Sequence, residues 1–563
     1  MRAAMPKARG RWIFSIAIAL ALLCATLVLL FFTEPIAVRF WFAVAVTAGM
    51  AFFLTVLSQR LLFASVIASS LVIIVYLVSL EKQATMNMGL HSYDLFFYVN
   101  VGTFEFLWND YQRSVAGILA VFAASIVLAA AMWHLDTTRI SRLASSAALI
   151  AMMAVAGSFQ PRASAEGGAF RLFTQGDSFV SAFYLSWGET WGTLKRGQLM
   201  EAAARTALPD FASESRCRTS MKPPHIVLIH QESLVPPSLF PGLQYDRALD
   251  RFFYSDDGQL HRLRVETYGG GSWVTEFALL TGISTKAFGD MRMFVQVLME
   301  GRLNETLPQA LAHCGYRALM LFPMNNGFLS LDRFYRSIGF SELLDQNAQN
   351  APTNRERDRF YFQNALDQME RHFKSSEQPL FVYVQTMAGH GPYDWAYMPE
   401  ENVAGGGFGT SAEMSEYLRR AGLAMRDGNF LLDEIKRRFP NEPVVVVRYG
   451  DHQPSATIDL INGVWGDDSP DIGANGAPGP FISYYAIQGL NYQVPPLPEF
   501  DPLDIAYLGT VMLEVAGLPL TAAQRERKLL MMDCEGRYFG CEPRSRILAF
   551  HRRLINSGFV RTP

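Results

Sequence analysis

The stretch His225-Ile-Val-Leu-Ile-His-Gln-Glu-Ser233 decides how the C-terminal half is read. Residues 225–230 are short, apolar and β-branched, which suits a buried strand. The same pattern returns at 316–322, 380–385, 443–449 and 481–486. Helix-compatible segments lie between these runs, at 304–313, 359–373, within 411–439 and at 503–516. Strand–helix alternation predicts a mostly parallel sheet with helices on both faces. Ligands of such sheets sit at the carboxyl ends of the strands. Chemically useful residues should therefore follow the strands at once. Glu232 follows the first run, His390 lies in Ala388-Gly-His-Gly-Pro-Tyr393 after the third, and Asp451-His452 follows the fourth.

A second stretch, Glu266-Thr-Tyr-Gly-Gly-Gly-Ser-Trp-Val-Thr-Glu-Phe277, carries three consecutive glycines into a serine and then an apolar, helix-compatible run. Glycines let a backbone turn sharply and approach a ligand closely. Ser272 is placed at the first turn of a helix, where free N–H groups and the positive end of the dipole favour an anion. Two readings stand side by side: an ordinary N-cap, or a nucleophile. Glu232, Asp451 and His452 at the same sheet edge favour the second. Two carboxylates and an imidazole are a reasonable ligand set for a divalent cation. A cation touching the Ser272 hydroxyl would lower its pKa and balance charge on a phosphoryl or sulfuryl oxygen. His390 either protonates a leaving oxygen or holds a phosphate, or is a structural histidine bonded to a loop carbonyl.

The N-terminal half is different. The whole chain of 563 residues is 50% hydrophobic and only 18% charged, and the apolar excess lies before residue 161. Apolar runs at 12–32, 36–57, 61–80, 115–133 and 143–158 predict five membrane spans, the last being the shortest. Arg2, Lys7, Arg9, Arg11, Arg60, Arg139 and Arg142 fall on one side of that arrangement, which makes that side cytoplasmic. Five spans then put the C-terminal half outside the cytoplasm. The aromatic segment 81–114 falls outside too, as an amphipathic piece at the interface or a plain aromatic belt. The division expected is 1–160 as the membrane domain, 161–220 as an aromatic connector and 221–563 as the extracytoplasmic α/β domain. The connector rests on the membrane surface or packs as the first helix of the α/β domain. The net charge of -3 gives no reason to expect nucleic acid.

Taken in order, strand-Glu-Ser, Gly-Gly-Gly-Ser-x3-Glu-Phe, Asn…Phe-Tyr…Gly-Phe, His-Gly-Pro-Tyr and strand-Gly-Asp-His resemble the sulfatase-like branch of the alkaline phosphatase superfamily. The nearest resemblance is to lipoteichoic acid synthases and the phosphoglycerol or phosphoethanolamine transferases of bacterial envelopes. It implies an alkaline-phosphatase-like fold and one divalent ion, manganese or zinc with magnesium as a third candidate. Glu232, Ser272, Asp451 and His452 would hold that ion. Ser272 would be the nucleophile and His390 would meet the substrate. Asn325, Asn326 and Arg333 would line the substrate pocket. The donor would be a phospholipid and the acceptor an envelope glycan or lipid. The location implied is the bacterial inner membrane, multi-pass, with the catalytic domain on the periplasmic side.

The sequence departs from that family in three ways. Serine stands where these transferases usually have threonine. Ser272-Trp-Val-Thr lacks the Cys/Ser-x-Pro-x-Arg pattern of formylglycine sulfatases. Leu329 and Leu331 stand where lipoteichoic acid synthases grip glycerol phosphate with tryptophan and arginine. Two other functions compete with transfer: a membrane-anchored phosphodiesterase or phosphatase using water, and a non-catalytic envelope assembly or sensor protein. Of the five cysteines, Cys24 lies in the first span. Cys534 and Cys541 would close a short loop, leaving Cys217 and Cys314 as the other pair on the oxidising side.

Overall fold

The computed structural model describes residues 5–86, 88–159, 178–197, 199–204, 209–211, 217, 222–325, 331–401, 403, 410–465 and 469–562. The chain divides into two compact units, Met1–Arg196 and Gly197–Pro563. The break falls inside the stretch expected to be a separate connector.

The first unit is helical among its described residues. Ile16–Thr33, Ala37–Ser58, Leu61–Met86 and Gln112–Leu135 are long and apolar enough to cross a membrane. Five spans were expected; the fifth run forms the helix Arg142–Ser158, of 17 residues. At 1.5 Å per residue it reaches about 26 Å, a little short of a hydrocarbon core of about 30 Å. It lies against the second helix, with Met152 Cβ and Leu149 Cδ1 within 3.9 Å of where a Gly49 Cβ would stand.

Buried acids tie these helices together by satisfying free N–H groups at helix starts. Asp136 Oδ2 accepts from Phe63 N at 3.1 Å, and Thr138 Oγ1 accepts from Leu61 N at 2.8 Å. Glu34 Oε1 accepts from Val180 N and Ser181 N at 2.8 and 3.0 Å. Those bonds anchor the helix Val180–Arg196, which belongs to this unit and not to the α/β unit. Its far end is held by Tyr93 Oη donating to Thr193 Oγ1 at 2.9 Å and by His91 Nε2 facing Glu189 at 3.0 Å. Trp187 and Trp191 of this helix are exposed, as are Phe96, Val99, Val101 and Phe104.

The second unit is α/β. Its strands are β1 His225–Gln231, β2 His261–Arg264, β3 Arg317–Leu321, β4 Glu342–Leu344, β5 Leu380–Gln385, β6 Val444–Gly450, β7 Ile482–Leu490 and β8 Leu503–Asp504. They form one sheet in the order β4-β3-β5-β1-β6-β7-β2-β8. The pairs from β4 to β6 are parallel, and β7 runs antiparallel to both β6 and β2. The expected mostly parallel sheet is therefore present. The strands β2, β4 and β8 were not expected, being short or polar, and β8 takes the first two residues of a segment read as helix.

Side-chain alternation sorts the sheet into two faces. Val227, Ile229, Val382, Val384, Val444 and Val446 pack with Tyr361, Leu366, Leu431 and Ile435 from the helices Asp358–Ser375 and Ala412–Arg438. The opposite face carries His230, Tyr383, Gln385 and Tyr449, and it meets Glu276 from the helix Ser272–Thr281. One face of the central strands is thus dry, and the other holds buried hydrogen-bonding groups beneath the helix Ser272–Thr281.

Two disulfides are formed, Cys217–Cys314 and Cys534–Cys541, and they close loops of 97 and 7 residues. Chain-entropy loss scales with loop length, giving about 4.7 kcal/mol for the first and about 2.4 kcal/mol for the second. A Cys217→Ser, Cys314→Ser variant should lose about twice the unfolding free energy that a Cys534→Ser, Cys541→Ser variant loses. Denaturant titration of the oxidised proteins measures both, and equal losses would refute the loop-length account.

Candidate active site

The site is built where β1, β5 and β6 end side by side. In the parallel register His230 pairs with Tyr449 and with Gln385, and Gln231 pairs with Gly450. That register sets Glu232 beside Asp451 at the carboxyl edge. Ser233 N donates to Asp451 Oδ1 at 2.8 Å, locking the two strand ends together.

The loops leaving these strands touch backbone to backbone. A Cβ on Gly389 would stand 2.0 Å from Glu232 O, and one on Gly450 would stand 2.0 Å from Leu234 O. No side chain fits at either position, which explains Gly-His390 and Gly-Asp451 in the sequence. Gly269, Gly270 and Gly271 have φ of 69°, 151° and 77°, a run that residues with a Cβ rarely adopt. Gly269 N donates to Gln453 O at 3.0 Å, fastening the triple-glycine turn to the segment after β6. Ser272 is delivered as the first residue of its helix, as expected.

The Ser272 hydroxyl donates to Glu232 Oε2 at 2.9 Å and lies 3.5 Å from His452 Nε2. His452 Nδ1 is 2.9 Å from Gln453 O, a carbonyl that only accepts, so Nδ1 carries the proton. His452 Nε2 lies 3.4 Å from Glu232 Oε1 and 3.2 Å from Asp451 Oδ2. Of the expected ligand set, Glu232, Ser272, Asp451 and His452 are thus brought together from four separate stretches of chain.

Electrostatics at this edge call for positive charge. Asp451 is fully buried, and its Oδ2 takes no hydrogen bond although two imidazole nitrogens lie 3.2 Å away. An unbonded buried carboxylate oxygen is costly unless a cation meets it. His230 is fully buried as well, which alone would lower its pKa, but Asp451, Glu232 and Glu276 hold it up at about 10. Burial would raise the Glu232 carboxyl, yet His230, His452 and His390 bring it well below the usual range. His230, Glu232 and Asp451 each offer a donor atom within 4.8 Å of the others. The residues present fit a divalent cation.

His390 is fixed through its loop. Its Nδ1 donates to Gly391 O at 2.6 Å. Arg420, buried under that loop, donates to His390 O at 2.6 Å and to Pro392 O and Trp395 O at 3.0 Å. Its charge is met by Glu416 Oε1 at 2.8 Å and by the face of Tyr393 at 5.1 Å. Asp358 Oδ1 accepts from Met387 N and Ala388 N at 3.1 and 2.9 Å, holding the loop from the other end.

The substrate-pocket residues fare differently. Asn325 is half-buried in the loop after β3, and Asn326 and Leu329 lie outside the described residues. Leu331 is buried at the start of the helix Leu331–Ser337. Arg333 has a side chain that is 65% exposed and is paired with Glu300 at 2.7 Å. A guanidinium on the outer side of a short helix satisfies the nearest surface acid. The sequence reading missed His230, Arg420 and Asp358. His230 alone left a signal, because a residue two before Glu232 shares its side of the strand.

Residues 263–479 match the family model described as Sulfatase. The C-terminal unit carries a sulfatase-like domain. The matched segment includes Ser272, His390, Asp451 and His452, and begins after Glu232. An uncharacterized protein of Haemophilus influenzae is 27% identical over 310 residues, which are 52% of this chain and 51% of that protein. The chain thus spans about half the length of that relative. Among solved structures, the Streptococcus pyogenes phosphoglycerol transferase GacH in complex with sn-glycerol-1-phosphate is 17% identical. That likeness covers 61% of this chain and 87% of the other, at a TM-score of 0.47. The Neisseria meningitidis integral membrane lipooligosaccharide phosphoethanolamine transferase A is 11% identical, covering 88% of this chain and 95% of the other at a TM-score of 0.46. Likeness at this level carries nothing about substrate.

Asp358 generates a pH prediction. Burial first, and the charge of Asp427 second, raise its carboxyl to about 7, against the backbone bonds from Ala388 and Met387 that favour ionisation. An unfolded aspartate titrates near 3.9. Between those values the native state binds the proton and the unfolded state does not, so stability falls as pH rises from about 4 to about 7. Asp358→Asn keeps the acceptor and removes the charge. Its unfolding midpoint should fall less than that of the wild type between about pH 4 and about pH 7. Parallel midpoint-against-pH curves would show that Asp358 does not carry that slope.

Proposed function

We propose that the protein is a membrane-anchored, metal-dependent phosphotransferase. It takes phosphoglycerol or phosphoethanolamine from a phospholipid, holds it on Ser272 and passes it to a hydroxyl of an envelope glycan or lipid. The observation that carries this reading is the Ser272 hydroxyl 2.9 Å from Glu232, at an edge shared with Asp451 and His452. A structural serine at a helix start has no need of a buried carboxylate and an imidazole within 3.5 Å of its oxygen.

Glu232, Asp451 and His452 would hold the cation, with the Ser272 oxygen beside it. Manganese, zinc and magnesium all suit such donors to different degrees. When bound, such an ion supplies charge that favours the ionised hydroxyl and balances phosphoryl oxygens. The remaining steps belong to side chains of this chain. Ser272 Oγ attacks phosphorus, its proton leaving along the bond to Glu232 Oε2, and the bond from phosphorus to the diacylglycerol oxygen breaks. His390 Nε2, in its protonated form, gives the departing oxygen a proton. In the second half the acceptor hydroxyl attacks phosphorus, gives up its proton to His390, and the Ser272–phosphorus bond breaks. Ser272 recovers its own proton from Glu232.

Placement outside the cytoplasm is supported by the two disulfides, which persist in oxidising compartments. It is also supported by the basic residues flanking the N-terminal helices, if Arg142–Ser158 completes a fifth crossing. The anchor and the exposed Trp187 and Trp191 suit a donor that resides in the bilayer. We assign the protein to the bacterial inner membrane, with the sulfatase-like unit on the periplasmic side.

The test is mass spectrometry of the purified full chain after incubation with mixed phospholipids. The Ser272 peptide should gain a phosphoglycerol or phosphoethanolamine group, and the mass names the head group. Ser272→Ala should gain none and should turn over more slowly by on the order of a thousandfold or more, while Ser272→Thr should still be modified. Diacylglycerol release that needs no acceptor would favour a hydrolase. An unmodified wild-type peptide together with an unimpaired Ser272→Ala variant would remove the enzymatic reading.

A further inference from the structure

His230 has no part in the chemistry described so far, yet it stands against the cation-holding carboxylates. Its Nε2 is 3.2 Å from Asp451 Oδ2 and 3.8 Å from Glu232 Oε2. On the other side of the same oxygen, His452 Nε2 is also at 3.2 Å. We propose that His230 Nε2 is a further ligand of the divalent cation, so that a second imidazole joins Glu232, Asp451, His452 and the Ser272 oxygen and the centre selects zinc over magnesium or manganese.

Three observations carry this. The first is spacing. Donors placed about 2.1 Å from one zinc at angles of about 90–120° lie about 3.0–3.6 Å from one another. The separations found are 3.2 Å and 3.8 Å for His230, and 3.2 Å and 3.4 Å for His452. The second is direction. Asp451 Oδ2 is buried and takes a hydrogen bond from neither imidazole at those distances. His230, Glu232 and Asp451 each offer a donor atom within 4.8 Å of the other two. An ordinary imidazole–carboxylate pair would align N–H on oxygen.

The third observation is the support behind the ring. His230 Nδ1 is 3.2 Å from Tyr383 Oη and 3.1 Å from Tyr449 Oη, and the two hydroxyls are 2.8 Å apart. Behind them Glu276 Oε2 accepts from Tyr335 Oη at 2.5 Å and Oε1 accepts from Gln385 Nε2 at 2.6 Å. With Nδ1 engaged by a hydroxyl, Nε2 is turned to the carboxylates, as a metal-binding histidine held from behind is. A second imidazole also changes the metal preferred. Imidazole suits zinc, while magnesium and manganese favour oxygen donors.

The inference rests on the metal-dependent reading above. The experiment uses the full chain in detergent, stripped with a chelator and titrated with zinc, manganese and magnesium against a chromophoric competitor. Wild type should prefer zinc. His230→Gln should weaken zinc binding tenfold or more and should lose most of the preference over manganese. Unchanged zinc affinity in a folded His230→Gln protein, beside loss of binding in His452→Gln, would overturn the proposal and leave the metal reading standing. X-ray absorption at the zinc edge of the wild type is independent of how the variant folds. Two imidazoles per stoichiometric zinc are expected, and one overturns the proposal. A wild type that binds none of the three ions removes the metal reading and this inference together.

Discussion

Two carboxylates share one buried edge of a parallel sheet, and one of them, Asp451, has an oxygen that no group among the described residues satisfies by hydrogen bonding. That constraint organises the unit. Negative charge in a low-dielectric place is tolerated only when positive charge is brought to it. The chain brings three imidazoles into range, from β1, from the loop after β5 and from the segment after β6. It also brings the Ser272 hydroxyl, which donates to Glu232. Each part arrives by a different route, but all of them converge because adjacent parallel strands end at the same edge.

Precision at that edge comes from backbone more than from side chains. The turn Glu232–Leu234 runs between Gly389 and Gly450, and either glycine bearing a Cβ would collide with its carbonyls. The triple glycine reaches the same place by left-handed backbone and is tied to Gln453. Positions of Glu232, Ser272, His390 and Asp451 are therefore coupled through peptide groups, which are stiffer than rotamers. Arg420 and Asp358 do the same for the His390 loop by bonding its carbonyls and N–H groups.

Much of this was legible in the sequence, for physical reasons that can be named. Central parallel strands are buried on both faces, so Val444–Gly450 and His225–Gln231 stand out as continuous apolar runs. Carboxylates directly after such runs are conspicuous, and Glu232 and Asp451 were found that way. Strands such as β2, with His261, Arg262 and Arg264 in four residues, carry no such mark because only alternate residues are buried. The helix Val180–Arg196 was read as a connector because Glu34, which caps it, lies 146 residues earlier. His230 escaped because a histidine inside a buried strand is ordinarily a satisfied core residue. Its company of Tyr383 and Tyr449 exists only after β5 and β6 are laid on either side of β1.

The helix Ser272–Thr281 joins these levels. Ser272 and Glu276 are one turn apart, so both lie toward the same side of the helix. Ser272 meets the carboxylate edge, and Glu276 reaches the sheet face below it. Burial raises the Glu276 carboxyl, with His230, Tyr335, Tyr383 and Gln385 acting in the opposite direction. A shift of the helix along its axis would move the attacking hydroxyl and the buried acid together. Glu276, held by Tyr335 and Gln385, therefore sets the depth of the helix, and through it the distance from Ser272 to Glu232. The polar groups beneath the nucleophile fix a register that apolar packing alone, which is non-directional, would leave loose.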